Sequence, residues 1–167
     1  MKILHFADIH IKDKAINEYY TVFKEVLFPK LNQIKSNNPN EQIIAVIVGD
    51  LFHTKIKLTA EEYKQGYWFL ESLAKLFQTI IIPGNHDCNM NNSKQMDLIV
   101  PIAEALKKSN NSVVSTNLFY WNKTGIYRDS ILFPHIKFHV WSCIDQKIPD
   151  IKNNIDPNYA NIALVHH

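Results

Sequence analysis

At 167 residues the chain is long enough for one domain with its own core, and 46% hydrophobic with 20% charged residues excludes a disordered chain. A net charge of +2 without a dense Lys cluster gives no electrostatic ground for a nucleic-acid partner. No apolar run approaches the roughly 20 residues of a membrane span, and the opening MKILHFADIH lacks a secretory signal pattern. The expectation is an intracellular protein without a membrane partner, with Cys88 and Cys143 as free thiols.

In chain order, residues 2–7 (KILHFA) predict a first strand that ends in Asp8-Ile9-His10. Ile16, Tyr19, Tyr20, Phe23, Val26, Leu27, Leu31 and Ile34 then recur at helical spacing, with a kink expected at Pro29. The stretch QIIAVIV (42–48) is apolar on both faces, as in a parallel sheet covered by helices, and it runs into Gly49-Asp50. Thr59 and Glu62 have the capping-box spacing, so a second helix starts at Thr59 and carries a stripe of Tyr63, Tyr67, Leu70, Ala74 and Phe77. Thr79–Ile82 is a short β-branched run that breaks through Pro83-Gly84 into Asn85-His86-Asp87. A helix over Met96–Lys108 follows. The texture then changes to short strands at SVVST, LFYW, GIYRD and IKFHVWSCI, and NIALVHH reads as a fourth buried-type strand. The pattern predicts an α/β protein with a mixed sheet and a second β layer, and residues 1–167 show no internal boundary or repeat.

Ligand sites in such sheets gather beyond the carboxyl ends of the strands. Four predicted strands end in Asp8/His10, Asp50, Asn85/His86 and His166. Each signal alone has a plain explanation, since Asp-x-His can cap a helix and Gly-Asp is a common turn. Four in succession are hard to ascribe to turns. Two carboxylates, an amide oxygen and neutral imidazoles suit Mn, Fe or Zn, and an Asp can bridge two cations. A pair of such ions can activate water for in-line attack on a phosphate, and a His not spent on metal can hydrogen-bond the phosphate or protonate the leaving alkoxide. His5, His135 and His139 are assigned to core or surface, and Phe119, Tyr120 and Trp121 to aromatic packing.

The segments DIH (8–10), GDLFH (49–53), GNHD (84–87) and ALVHH (163–167) resemble, in order and spacing, the motifs of the calcineurin-like metallophosphoesterases. Within that superfamily they are similar to SbcD-type DNA repair nucleases, viral and phage versions included. The resemblance implies an αββα sandwich of two mixed sheets, two divalent ions of which Mn2+ is the first choice, and hydrolysis of DNA phosphodiesters by exo- or endonuclease action. It also implies an SbcC-type coiled-coil ATPase partner and a nuclease homodimer. By the same resemblance Asp8 and His10 would hold the first metal, Asp50 would bridge, and Asn85 with His166 would hold the second. His166 is preferred to His167 because it directly follows the apolar run. His86 would be the catalytic acid; His53 would orient His86 or bind the phosphate, and its presence where many phosphatases have Asp favours the nuclease branch. Asp87 is expected to shape the loop.

The family's last motif, Gly-His-x-His, does not occur before His167, which leads to the expectation of an incomplete sandwich, a fragment or a chain completed by another. Weak metal binding, little or no hydrolysis and marginal stability of these residues alone are expected with it. Two other functions stand beside the nuclease: a phosphodiesterase or phosphatase for small substrates such as cyclic nucleotides, and a non-catalytic scaffold of the same fold.

Overall fold

The computed structural model describes residues 1–92, 94–145 and 147–166. Strand β1 (Lys2–Phe6) leads to helices α1 (Ile16–Val22) and α2 (Phe28–Asn37). The distortion expected at Pro29 takes the form of a π-helical turn at Phe23–Leu27, just before it. Proline lacks an N–H and its ring crowds the carbonyl four residues back, so the helix widens there without breaking. Strand β2 (Ile43–Val48), helix α3 (Ala60–Leu76) and strand β3 (Gln78–Ile82) follow. The capping box is complete: Thr59 Oγ1 accepts the Glu62 amide at 3.2 Å, and Glu62 Oε2 accepts the Thr59 amide at 2.9 Å.

Two predicted elements differ. Helix α4 (Val100–Lys107) starts at Val100 and not at Met96, because Asp97 Oδ1 accepts the amides of Ile99 and Val100, both at 3.0 Å, and Pro101 occupies the first turn. SVVST is not a strand but helix α5 (Ser112–Asn117). Its β-branched residues suggested a strand, but Asn111 Oδ1 caps the Val114 amide at 3.3 Å and Val114 is fully buried in the helical layer. Tertiary burial and a cap outweigh propensity here. Strands β4 (Leu118–Tyr120), β5 (Gly125–Tyr127), β6 (Ile136–Trp141) and β7 (Ala160–Val165) complete the chain.

The first sheet has the order β1-β2-β3-β4 and is wholly parallel; the second, β5-β6-β7, is the mixed one, antiparallel at β5/β6 and parallel at β6/β7. All six residues of β2 are buried, and its pleat divides the core. Ile43, Ala45 and Ile47 pack with Phe69, Leu70 and Leu73 of α3, whereas Ile44, Val46 and Val48 pack with Phe138 and Val140 of β6 and Leu164 of β7. Helices therefore cover one face of the first sheet and the second sheet covers the other. Phe119 and Trp121 fill the inter-sheet layer against Phe133, Tyr127 and Phe138, as expected of core aromatics. Strand β7 differs from its predicted character: only Leu164 is buried, because β7 lies beside β6 in the second sheet with one face outward. His166 thus reaches the site from a different sheet than Asp8, Asp50 and Asn85. No helix is long and apolar enough to cross a membrane among the described residues.

Candidate metal centre

The segments after β1 and β2 stay zipped together beyond the strands. The Asp8 amide donates to the Gly49 carbonyl at 3.3 Å, His10 to Asp50 at 3.0 Å, and His53 to Ile11 at 2.9 Å, while Ile11 and Phe52 form a further parallel bridge. Asp8, His10 and Asp50 adopt left-handed backbone conformations, with φ of 54°, 52° and 54°. Such angles in non-glycine residues cost of order 1 kcal/mol each and cluster where side chains must be aimed at a site. Two glycines make room. Gly49 has φ 77°, and a Cβ there would come within 2.3 Å of the His166 Nδ1; a Cβ on Gly84 would meet Asp50 Oδ1 at 2.2 Å. The Gly-Asp and Gly-Asn-His-Asp motifs are therefore glycine-led because side chains of the site occupy the space a larger residue would need.

Asp50 is almost fully buried and presents its two oxygens to two sides. Oδ2 lies 3.5 Å from His10 Nε2, which is 3.7 Å from Asp8 Oδ1; Oδ1 lies 3.3 Å from His166 Nε2 and accepts the His86 amide at 2.8 Å. His166 Nδ1 is 2.9 Å from the Val48 carbonyl, to which it can only donate, so the neutral ring turns a lone pair on Nε2 inward. That lone pair faces Asn85 Oδ1 at 3.2 Å as well as Asp50 Oδ1. Asp50 Oδ1 and Asn85 Oδ1 thus face His166 Nε2 together, an arrangement that suits a bound cation. On the other side His10 Nδ1 is buried without a partner among the described residues, and its Nε2 stands beyond hydrogen-bond length from both carboxylates. Donor atoms of Asp8, Asp50 and His166 lie within 4.8 Å of one another. The donor set and the glycine cradle fit divalent ions. An inner-shell His that donates its other N–H to a carbonyl is also the usual support of a metal site.

Three imidazoles, that of His10 among them, make a second cluster. His10, His53 and His86 bring ring nitrogens within 4.8 Å of one another, with centroids 4.9 Å apart for His10–His86 and 5.6 Å for the stacked His53–His86 pair. His86 Nδ1 sits 2.6 Å from the backbone carbonyl of His53. A carbonyl only accepts, so Nδ1 carries a proton and Nε2 is the atom free to gain or lose one. The link between His53 and His86 thus runs through the His53 backbone, whereas the exposed His53 ring stacks on His86 and is open to a substrate.

Asp87 is buried and points away from this space. Its carboxylate accepts the amides of Phe52 at 3.0 Å, Leu51 at 3.2 Å and Gly84 at 2.9 Å, which ties the loop after β2 to the loop after β3. Burial pushes its carboxyl up to about 6, although the three amides pull the other way. Two contributors carry no signal in the sequence beyond their identity. The Tyr19 hydroxyl, read from the pattern as one member of an apolar stripe, donates to the His10 carbonyl at 2.7 Å. Cys143 brings its sulfur to 3.5 Å from that of Cys88, although 55 positions separate them. His139 is buried and pairs with Asn161 at 3.0 Å, while His5 and His135 are exposed; none of the three approaches the centre. His167 lies outside the described residues.

Residues 1–167 match the family model described as calcineurin-like phosphoesterase. The chain is also similar to uncharacterized protein R555 of Acanthamoeba polyphaga mimivirus, 32% identical over 172 residues, which cover 98% of this chain and 12% of that protein. The chain therefore spans a small part of the length of that relative. With the site's geometry, these matches establish that the chain belongs to the calcineurin-like phosphoesterases, a family of metal-dependent hydrolases of phosphoesters.

Proposed function

We propose that this phosphoesterase acts on DNA phosphodiesters as the nuclease component of an SbcD-type repair or recombination complex, with two Mn2+ ions as its cofactors. The observation that carries the hydrolase part is Asp50, whose two oxygens serve two separate groups of donors. Asp8 and His10 would hold one ion and Asn85 with His166 the other, with Asp50 shared. When bound, the ions supply Lewis acidity that activates water and offsets charge on the phosphate. His86 Nε2 donates a proton to the leaving oxygen, and the His53 carbonyl holds the ring in the orientation that leaves this nitrogen free. The exposed ring of His53 contacts the phosphate.

The nuclease assignment is supported by the form of the loop after β2, in which His53 stands where a small-substrate phosphatase often carries an acid. The reading brings with it an SbcC-type coiled-coil ATPase and a nuclease homodimer as partners, and the similarity to a mimivirus protein supports a viral setting. The test is hydrolysis, by the Mn2+-loaded protein in a chain extended through a Gly-His-x-His motif, of single-stranded DNA, duplex ends and a small aryl phosphodiester, beside His86→Ala. Cleavage of DNA that the substitution abolishes is expected. Cleavage confined to the small ester would move the assignment to a small-substrate phosphodiesterase, and no cleavage with no bound metal would make the chain a scaffold.

A further inference from the structure

The two cysteines lie in turns that follow strands of different sheets. Cys88 follows the Gly84–Asp87 turn beyond β3, and Cys143 follows β6. They are the only cysteines in the chain, and their sulfurs are 3.5 Å apart. Each thiol is also anchored to one of two consecutive carbonyls, Cys143 to Pro83 at 3.4 Å and Cys88 to Gly84 at 3.4 Å. Both side chains are thereby held toward each other by the turn that delivers Asn85 and His86. Cys88 is buried, but Cys143 lines an open cleft of about 350 Å³ whose walls include Asn85, Met90, Trp141 and His166. An oxidant can therefore reach one thiol while the other waits behind it.

We propose that Cys88 and Cys143 are a redox-modification site that closes to a reversible intramolecular disulfide on exposure to a peroxide. Cys143, the thiol a peroxide can reach, gives up its proton as its sulfur attacks a peroxide oxygen; the O–O bond breaks, and hydroxide leaves as water with that proton. The Cys88 sulfur then attacks the resulting sulfenic sulfur, the S–O bond breaks, and the departing hydroxide takes the Cys88 proton as a second water. Two thiols lose two electrons and two protons, and one hydrogen peroxide becomes two waters. A thiol reductant reverses the step by exchange. Forming the bond brings the sulfurs from 3.5 Å to about 2.05 Å. Closure ties the Pro83–Cys88 turn of the first sheet to the end of β6 in the second. The inference concerns the thiols and stands whether or not the neighbouring centre hydrolyses DNA.

The experiment treats the whole chain, stripped of metal with EDTA, with near-stoichiometric hydrogen peroxide and follows free thiols, intact mass and non-reducing peptide maps. Expected are a fall from two titratable thiols to none, a mass loss of about 2 Da for two hydrogens, and a peptide joining Cys88 to Cys143. Dithiothreitol restores both thiols. In Cys88→Ser the remaining Cys143 goes on to the sulfinic acid or to dimers between chains. Two thiols still titratable, oxygen added to each cysteine without a crosslink, or a crosslink found only between chains would overturn the proposal. Because the wild-type result decides it, a variant that fails to fold leaves the test intact.

Discussion

Gly49 lies against the ring of His166: a Cβ at residue 49 would sit 2.3 Å from His166 Nδ1, in a backbone of φ 77°. The end of β2 and the end of β7 thus touch at the one place where a side chain would push them apart. Gly49→Ala must displace His166 from the Val48 carbonyl and strain its own backbone. The expected result is metal affinity lower by roughly 10–100-fold, the range for loss of a supporting contact to a ligand. Calorimetric titration of the EDTA-treated variant with Mn2+ measures it, and an affinity equal to wild type would show that the contact is idle.

A second prediction concerns Gly66, in the middle of α3. In isolation Gly→Ala in a helix adds about 1 kcal/mol of stability. Here a Cβ would lie 2.4 Å from the Phe52 Cζ, and Phe52 is fully buried between two residues whose amides anchor the site loop. Overpacking costs about 1–3 kcal/mol, so Gly66→Ala is expected to lower the melting temperature against its helix propensity. Phe52→Leu combined with Gly66→Ala should recover part of the loss relative to the sum of the two single changes.

Asp87 gives a pH signature. Its folded carboxyl, at about 6, binds a proton more tightly than the unfolded chain does at its ordinary value of 3.8. Asp87 therefore stabilises the fold increasingly as pH falls from above 6 toward 4, and that contribution is lost on the way up. Asp145, with hydrogen bonds from Thr124, and Asp156, beside Lys137, are held low and act with the opposite sign: their contributions are present above the ordinary carboxylate range and lost as pH falls. Denaturant unfolding of metal-free wild type and Asp87→Asn at pH 7 and pH 5 separates the two. The variant should lose more stability on acidification than wild type, and should be weaker at both pH values because the NH2 that replaces one carboxylate oxygen cannot accept the backbone N–H groups that oxygen serves.

His86 is expected to serve turnover and not metal retention. His86→Ala should lower the rate of phosphodiester hydrolysis by about 10²–10⁴-fold, the usual range for a general acid, with the metal content by elemental analysis unchanged. Loss of metal in that variant would place His86 among the ligands, with His10 and His53.

Much of the site was legible because its signals are local. Strand ends, the glycines before Asp50 and Asn85, and the capping box at Thr59 each rest on residues a few positions apart. Misread elements share a different cause. Ser112–Asn117 is helical because Val114 is buried and Asn111 caps the turn, and β7 is an outward-facing edge because of its place beside β6. Neither packing is written in the period of the sequence. Likewise the meeting of Cys88 with Cys143, and the grip of Tyr19 on the His10 carbonyl, depend on how distant elements stack.

Asp50 would be shared between two ions. Mn2+ titration of the EDTA-treated chain, followed by calorimetry and by electron paramagnetic resonance, tests it directly alongside Asp50→Asn. Two ions per wild-type chain with a spin-coupled signal are expected, and weakened binding of both, without coupling, in the variant. A single uncoupled ion in wild type, or binding that Asp50→Asn leaves unchanged, would contradict it.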